Sequence, residues 1–401
     1  MLVRSSNTYW LEQNQTAAPY PTLHQHLECD VLIIGGGITG ALVAYDLVRA
    51  GIDTVLIDKR GIGKGSTAAS TALIQYEIDV PLHQLIDQIG EHDAVMSYKL
   101  CLNAIHKLAE IVGRLDTDCG FSYKKSLYYA AQPEHVEMLK KECAARTKYG
   151  FRCSWLNPLD IRKHFQFNAP GGILSEDAAE LDAMELTRSL YRYLTKRGLR
   201  IFEQTSPEEI DYADKRVRVR TSQDTNIVAK KLIYATGYET QKMFEKDDVL
   251  RLKSTYALVT EPIAKLPDGL QKSLIWDTAD PYFYARTASD GRMMLGGEDE
   301  WIVDATKRDA LIPEKQAKLL NKFNSLFPEL HAEPHLTWAG TFAETKDGLP
   351  YIGEHKRYPN SYFALGFGGN GITFSITAAG IIRDLFQKGQ SNQADIFRFG
   401  R

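Results

Sequence analysis

Residues Asp30–Asp58 read DVLIIGGGITGALVAYDLVRAGIDTVLID, and this stretch limits the possible folds more than any other. An apolar run, Val31 to Ile34, enters Gly35, Gly37 and Gly40 at G-x-G-x-x-G spacing. The pattern predicts a strand, a tight turn, a helix starting near Ile38, and a second strand ending on Asp58. The three glycines serve in turn a bend at positive φ, backbone approach to a pyrophosphate, and close packing of helix on strand. The helix start aims free N–H groups and the positive end of its dipole at phosphates. A carboxylate about twenty residues further on accepts ribose hydroxyls. A glycine turn alone is common. With the strand, the helix and the acid in place, the reading is dinucleotide binding rather than an ordinary βαβ unit.

At 401 residues the chain supports a large core and two domains. Its 44% hydrophobic and 25% charged residues are those of a globular enzyme. A net charge of -3 gives no electrostatic case for nucleic acid as a partner. The five cysteines (Cys29, Cys101, Cys119, Cys143 and Cys153) form no C-x-x-C pair, which suits reduced thiols in a cytoplasmic protein. The first residues carry no long apolar stretch, so neither a signal peptide nor a membrane span is expected.

Beyond the first βαβ unit, Ala94, Tyr98, Cys101, Leu102, Ile105, Leu108 and Val112 recur at three- and four-residue steps, predicting a long amphipathic helix over 91–115. A strand over 126–131 and helices over 134–148 and 183–197 follow, the last ended by Gly198. KRVRVRT alternates as a half-buried strand does, and VAKKLIYATG closes on Gly237 as a strand that could return to the first sheet. Residues 251–298 are strand-rich, a helix is predicted over 313–327, and Glu245–Asp248 reads as a solvated turn. His331, His335 and His355 stand in polar, loop-like context and read as surface histidines, with no metal-ligand spacing.

A second glycine cluster, GFGGNG (Gly366–Gly371), joins a short apolar strand to a helix over 372–386. It again feeds a helix N-terminus, which would stabilise negative charge. Five motifs in order now carry a resemblance: IIGGGITG with Asp58, GSTAAS (Gly65–Ser70), YATG (Tyr234–Gly237), WAG…TKDGLPYIG (Trp338–Gly353) and GFGGNGI (Gly366–Ile372). The sequence resembles the D-amino-acid-oxidase-like flavoproteins, which include glycine oxidase, sarcosine oxidase and γ-glutamylputrescine oxidoreductase.

The resemblance implies an α/β fold with a Rossmann-type FAD-binding domain interleaved with a sheet-and-helix substrate domain. The expected division is an arm over 1–29, an FAD-binding domain over 30–78, 154–244 and 338–401, and a substrate domain over 79–153 and 245–337. FAD is implied, held non-covalently, since no cysteine falls where sarcosine-oxidase relatives attach the flavin. Gly35, Gly37 and Gly40 would take the pyrophosphate and Asp58 the adenosine ribose, with Ile38, Thr39, Lys59 and Gly237 also binding the cofactor. Ser66, Thr67 and Ser70 would line the flavin end, and Gly369, Asn370, Gly371, Ile372 and Thr373 would sit against the pyrimidine edge of the ring. The implied reaction removes a hydride from the carbon next to an amine nitrogen, and water hydrolyses the imine. Oxygen or an electron carrier would be the acceptor. The alternatives are a dehydrogenase of a hydroxy acid or polyol serving a quinone or carrier protein, and a flavin scaffold or NAD sensor on the same fold.

The chain also departs from the pattern. Relatives acting on small amino acids carry an arginine after W-A-G, where Phe342 stands here, and sarcosine-oxidase-like members use a lysine where Thr373 stands. Both usual anchors for a substrate carboxylate are therefore missing, which suits an amine without an α-carboxylate. Substrate contacts are expected from Tyr282, Arg286, Phe342 and Asn370. Arg286 is either a substitute carboxylate anchor or a salt-bridged arginine at a strand end. Tyr282 and Tyr284, two apart on one strand face, either meet the substrate or pack. RMMLGG lacks the lysine that some oxidases place near the flavin, which favours a dehydrogenase over an oxidase. No catalytic acid or base is named.

Overall fold

The computed structural model describes residues 1–14, 18–213, 215–244, 249–288 and 290–401. The Glu245–Asp248 run lies outside them. The fold is α/β and built on two sheets. In the first, strands Tyr358–Leu365, Asn226–Tyr234, Leu27–Ile34, Thr54–Ile57 and Arg200–Phe202 lie side by side and parallel. Tyr351–His355 adds an antiparallel edge. Val31–Ile34 and Thr54–Ile57 are buried throughout, because helices and strands cover both faces, and so they read as continuous apolar runs. Val217–Thr221 alternates buried and exposed residues, and its arginines point to solvent.

Helices Ile38–Arg49, Glu91–Val112, Ala183–Thr195 and Gly371–Lys388 pack on one face of this sheet and share its main core. The long helix buries Ala94, Tyr98, Cys101, Ile105, Leu108 and Val112, the stripe its sequence periodicity predicts. Gly389 at φ 72° closes the last helix.

The second sheet runs Pro334–Glu344, Arg251–Thr260, Met293–Glu300, Phe283–Thr287, Ser273–Asp277, Ser122–Tyr129, Gly172–Glu180 and Leu73–Gln75. Cys153–Leu156 pairs on the Gly172–Glu180 strand. Strands from four distant parts of the chain thus meet here, and they reach across the boundaries expected at 78, 154 and 338. Pairing, not sequence proximity, decides membership.

The arm is tied down along its length. Thr341 N–H donates to Val3 O at 2.7 Å and Ser5 N–H to Ala339 O at 2.9 Å, extending the second sheet past its edge strand. Tyr9 and Trp10, whose partners no local pattern reveals, are buried at the start of a short helix, Tyr9–Gln13. The Trp10 indole N–H donates to Ser70 O at 2.6 Å. No helix among the described residues is long and apolar enough to cross a membrane.

Candidate cofactor and substrate site

The two glycine-started helices lie side by side, joined near their N-termini by a 2.8 Å hydrogen bond between the Thr39 and Ser375 hydroxyls. Glycine at two positions makes this possible. Gly35 adopts φ 114°, and a Cβ there would stand 2.3 Å from Ala235 O. A Cβ on Gly40 would stand 2.0 Å from Gly35 O, so the helix closes onto its own entering strand.

Between the two turns runs a cavity of about 580 Å³. Gly35, Gly37, Ile38 and Thr39 line one part of it, Gly366, Phe367, Gly371 and Ile372 another. Asp58 and Lys59 line it from the end of the second strand, Ser66, Thr67 and Ser70 from the following turn, and Gly237 from the 234–237 segment. Sequence-distant motifs therefore converge on one space. Its size lies in the range of about 300–1,000 Å³ typical of ligand pockets.

Asp58 is fixed for its place: Gly36 N–H donates to Oδ2 and Arg60 N–H to Oδ1, each at 2.7 Å. Burial raises its pKa against the pull of those two donors. Thr67 Oγ1 accepts from Ile38 N–H at 2.9 Å, coupling the 66–70 turn to the start of the first helix. Two indoles hold that turn from behind, Trp338 donating to Ala69 O at 2.9 Å and Trp10 to Ser70 O. Neither Arg60 nor Glu239 was singled out from sequence. Both line the cavity, and Glu239 Oε1 lies 2.8 Å from Lys59 Nζ and from Arg60 Nη2. Burial alone would raise the Glu239 carboxyl, but these cations hold it below its usual range. No local motif marks a carboxylate 180 residues from its lysine partner in sequence.

Other sequence-selected residues stand outside the cavity lining. Gly40 packs behind the first turn, and Thr373 is buried with its hydroxyl donating to Asn370 O at 3.1 Å. Asn370 donates through Nδ2 to Gln75 O and Glu77 O, at 3.2 and 2.8 Å, so its amide anchors the second turn to the Leu73–Gln75 strand and the residues after it. Gly369 N–H donates to Asp79 Oδ2 at 3.0 Å. Tyr282 stacks on Tyr284 with ring centres 5.9 Å apart, so the two share a face as expected.

Arg286 takes the structural one of its two readings. It is 2% exposed and donates to Thr71 O, Thr287 O and Leu181 O at 2.5, 2.9 and 3.1 Å, with Glu180 at 3.7 Å. Burial, the largest influence, lowers its pKa. An arginine held by three backbone carbonyls is a brace between strands, not a ligand anchor. Phe342 is buried on the Pro334–Glu344 strand, directly opposite Lys253. The Lys253 ammonium lies 5.0 Å from the Phe342 ring centre, pairs with Asp299 at 2.9 Å and also bridges Glu344. A cation does stand beside position 342, already neutralised by two carboxylates.

The histidines need correction too. His331 is exposed, but His335 bridges Glu261 and Glu12 at 2.9 Å each, and these partners raise its pKa. His355 packs among Phe244, Tyr358 and Phe399. A polar sequence context did not reveal partners from other elements. No group of three or more potential metal ligands occurs among the described residues.

A dinucleotide cradle with a second helix N-terminus across one cavity fits a flavin-dependent oxidoreductase. The chain belongs to the FAD dependent oxidoreductase family (DAO), whose model matches residues 30–385. It is 24% identical over 408 residues to the gamma-glutamylputrescine oxidoreductase of Escherichia coli, covering 99% of this chain and 92% of that one. It is 25% identical over 400 residues to a putative Rieske 2Fe-2S iron-sulfur protein of Bacillus subtilis, YhfW, covering 97% of this chain and 74% of that one. The glycine oxidase structure from Bacillus cereus superposes with a TM-score of 0.76 at 23% identity, covering 93% and 99% of the two chains. The expected class, an FAD-dependent oxidoreductase, is therefore the class of this chain.

Proposed function

We propose that the protein oxidises the carbon next to the nitrogen of an amine or amino acid, with FAD held non-covalently along the cavity. The observation that carries this reading is the convergence of both glycine turns on one space that Asp58 also lines. The residues fit the group. Gly35, Gly37 and Thr39 offer backbone to a pyrophosphate, and each Asp58 oxygen, with one backbone donor, keeps acceptor capacity for ribose hydroxyls. The 366–372 turn presents a helix N-terminus to the pyrimidine edge. No cysteine is among the described residues that line the cavity, which supports a non-covalent cofactor. When bound, FAD supplies the hydride acceptor, the one piece of chemistry the side chains lack.

The protein's own part is orientation. The first sheet forms the cofactor unit and the second sheet the substrate unit. Arg286 and Asn370 brace the wall between them, while Tyr282 and Phe342 border the substrate. With Phe342 apolar and Lys253 already paired, this wall favours a substrate without an α-carboxylate over one that needs a cation there. Reduced thiols and a net charge of -3 favour a cytoplasmic enzyme without a nucleic-acid partner.

Anaerobic mixing of the yellow protein with a panel of primary and secondary amines and amino acids tests this. Bleaching of the flavin band by at least one amine is expected; a band that no member of the panel bleaches contradicts the reading. A second reading, electron transfer to a carrier in place of oxygen, is favoured by two observations. The Met293–Glu300 strand brings buried methionines rather than a lysine, and the Bacillus subtilis relative is named for an iron-sulfur centre. Turnover with a dye acceptor but no peroxide in air selects it, and a hydroxy acid or polyol as the donor is judged in the same assay.

A further inference from the structure

The second glycine turn is pressed against a residue no motif marks. Asp79 accepts from Gly369 N–H at 3.0 Å, and this is its one hydrogen bond among the described residues. The turn that it touches carries Gly366, Phe367 and Gly371 of the cavity wall, so Asp79 stands against that turn, beside the residues that line the cavity. Solvent reaches it, although protein surrounds it on several sides. Its segment is fixed at both ends: Asn370 donates to Glu77 O at 2.8 Å, and Tyr98 donates to Val80 O at 2.9 Å.

The neighbouring carboxylates are all engaged. Asp299 and Glu344 pair with Lys253, Glu239 with Lys59 and Arg60, and Asp58 takes two backbone donors. Glu77 is buried against Arg146 at 3.2 Å. Asp79 alone in this set is neither paired with a cation among the described residues nor saturated by N–H groups. Around it face Lys253, Asp299 and Glu344 from three strands of the second sheet, Tyr282 beside the fourth, Tyr238 from the 237–243 turn, and Tyr128. With Asp79 ionised, the three acids exceed the one lysine, which favours a cation.

We propose that Asp79 is the counter-ion for the substrate's ammonium, and that the site selects an alkylammonium bearing no carboxylate on the adjacent carbon. This rests on the amine-oxidising reading above. An ammonium arriving here gains a rigid, accessible carboxylate, whereas a carboxylate would meet three like charges and no uncommitted cation of this cluster. Surrounding protein, then Glu344 and Asp299, raise the Asp79 pKa against the pull of Gly369 N–H and Lys253, and its solvent exposure moderates that rise. A ligand cation that binds the ionised form must therefore lose affinity as Asp79 is protonated in acid.

The test uses FAD-loaded protein and tert-butylammonium, which has no hydrogen on the carbon next to nitrogen and cannot be oxidised. Its binding is read as a saturable perturbation of the flavin absorption, with pivalate as the isosteric anion. Tert-butylammonium is expected to saturate and pivalate is not. Asp79→Asn weakens the cation about tenfold or more, Asp79→Glu recovers part of the loss, and FAD content stays at that of the parent. In the parent enzyme, the affinity falls as acid protonates Asp79, a readout that needs no variant. Equal affinity in Asp79→Asn, tighter binding of pivalate, or no saturation by tert-butylammonium overturns the proposal. If the cation binds through Asp79 yet no amine bleaches the flavin, the reaction reading fails and the site stands. If amines bleach it and Asp79→Asn binds unchanged, the reverse holds.

Discussion

At the scale of single residues, chemistry is legible in the sequence and partnership is not. Arg286 shows the difference. Its side chain announces a cation, but only the fold brings Thr71 O, Leu181 O and Thr287 O around its guanidinium. Arg286→Ala strips three carbonyls, two of them buried, of a donor and leaves Glu180 with Lys124 at 2.9 Å and the Thr287 hydroxyl at 3.2 Å. The expected cost is about 3 kcal/mol, read as a lowered urea midpoint with an unchanged slope. A fall in substrate affinity at unaltered stability would instead restore the ligand-anchor role. Gly35, Gly40 and Asp58 were legible because their spacing and their role are both local. Asp79 was not, since nothing in YEIDVP says that a turn 290 residues away donates to it.

Among elements, helices and strands follow from periodicity, while their buried ions do not. The helix expected over 134–148 forms as Val136–Lys148 after a short 3-10 turn. What its sequence conceals is a polar core: Arg146 and Glu142 pair at 2.6 Å one helical turn apart, Arg146 reaches Glu77 at 3.2 Å, and His83 meets Glu142 at 2.8 Å. All but His83 are essentially sealed from solvent. Burial alone would raise Glu142, but Arg146 and His83 win and hold it at about 2, below the usual 4.5. A depressed acid stabilises the fold above its unfolded pKa, and this contribution fades as pH falls from about 4.5 toward 2. Glu142→Gln should therefore cost about 3 kcal/mol near neutrality, and the gap to the parent should narrow in acid. Parallel melting curves from pH 7 to pH 3, with a constant gap, would contradict this. The network also matters to the site, because Glu77 offers its carbonyl to Asn370 in the second glycine turn.

For the whole molecule, the Rossmann-type sheet could be read almost strand by strand, because each strand carries its own apolar run. The second sheet could not. Its members Leu73–Gln75, Cys153–Leu156 and Gly172–Glu180 are short or mixed in character, and long-range pairing rather than local pattern assigns them. The arm is a similar case: the berth of Tyr9 against Asp290 and of Trp10 against Ser70 depends on the completed fold. What unites these parts is one cavity with a glycine-hinged helix start at each of two walls. A crystal structure of the protein purified with its flavin measures that directly. The adenosine ribose is expected on Asp58, the pyrophosphate over Gly35–Thr39 and the ring's pyrimidine edge on Gly369–Ile372. A flavin bound elsewhere, or in this cavity with its ring at the Asp58 end, would contradict that placement.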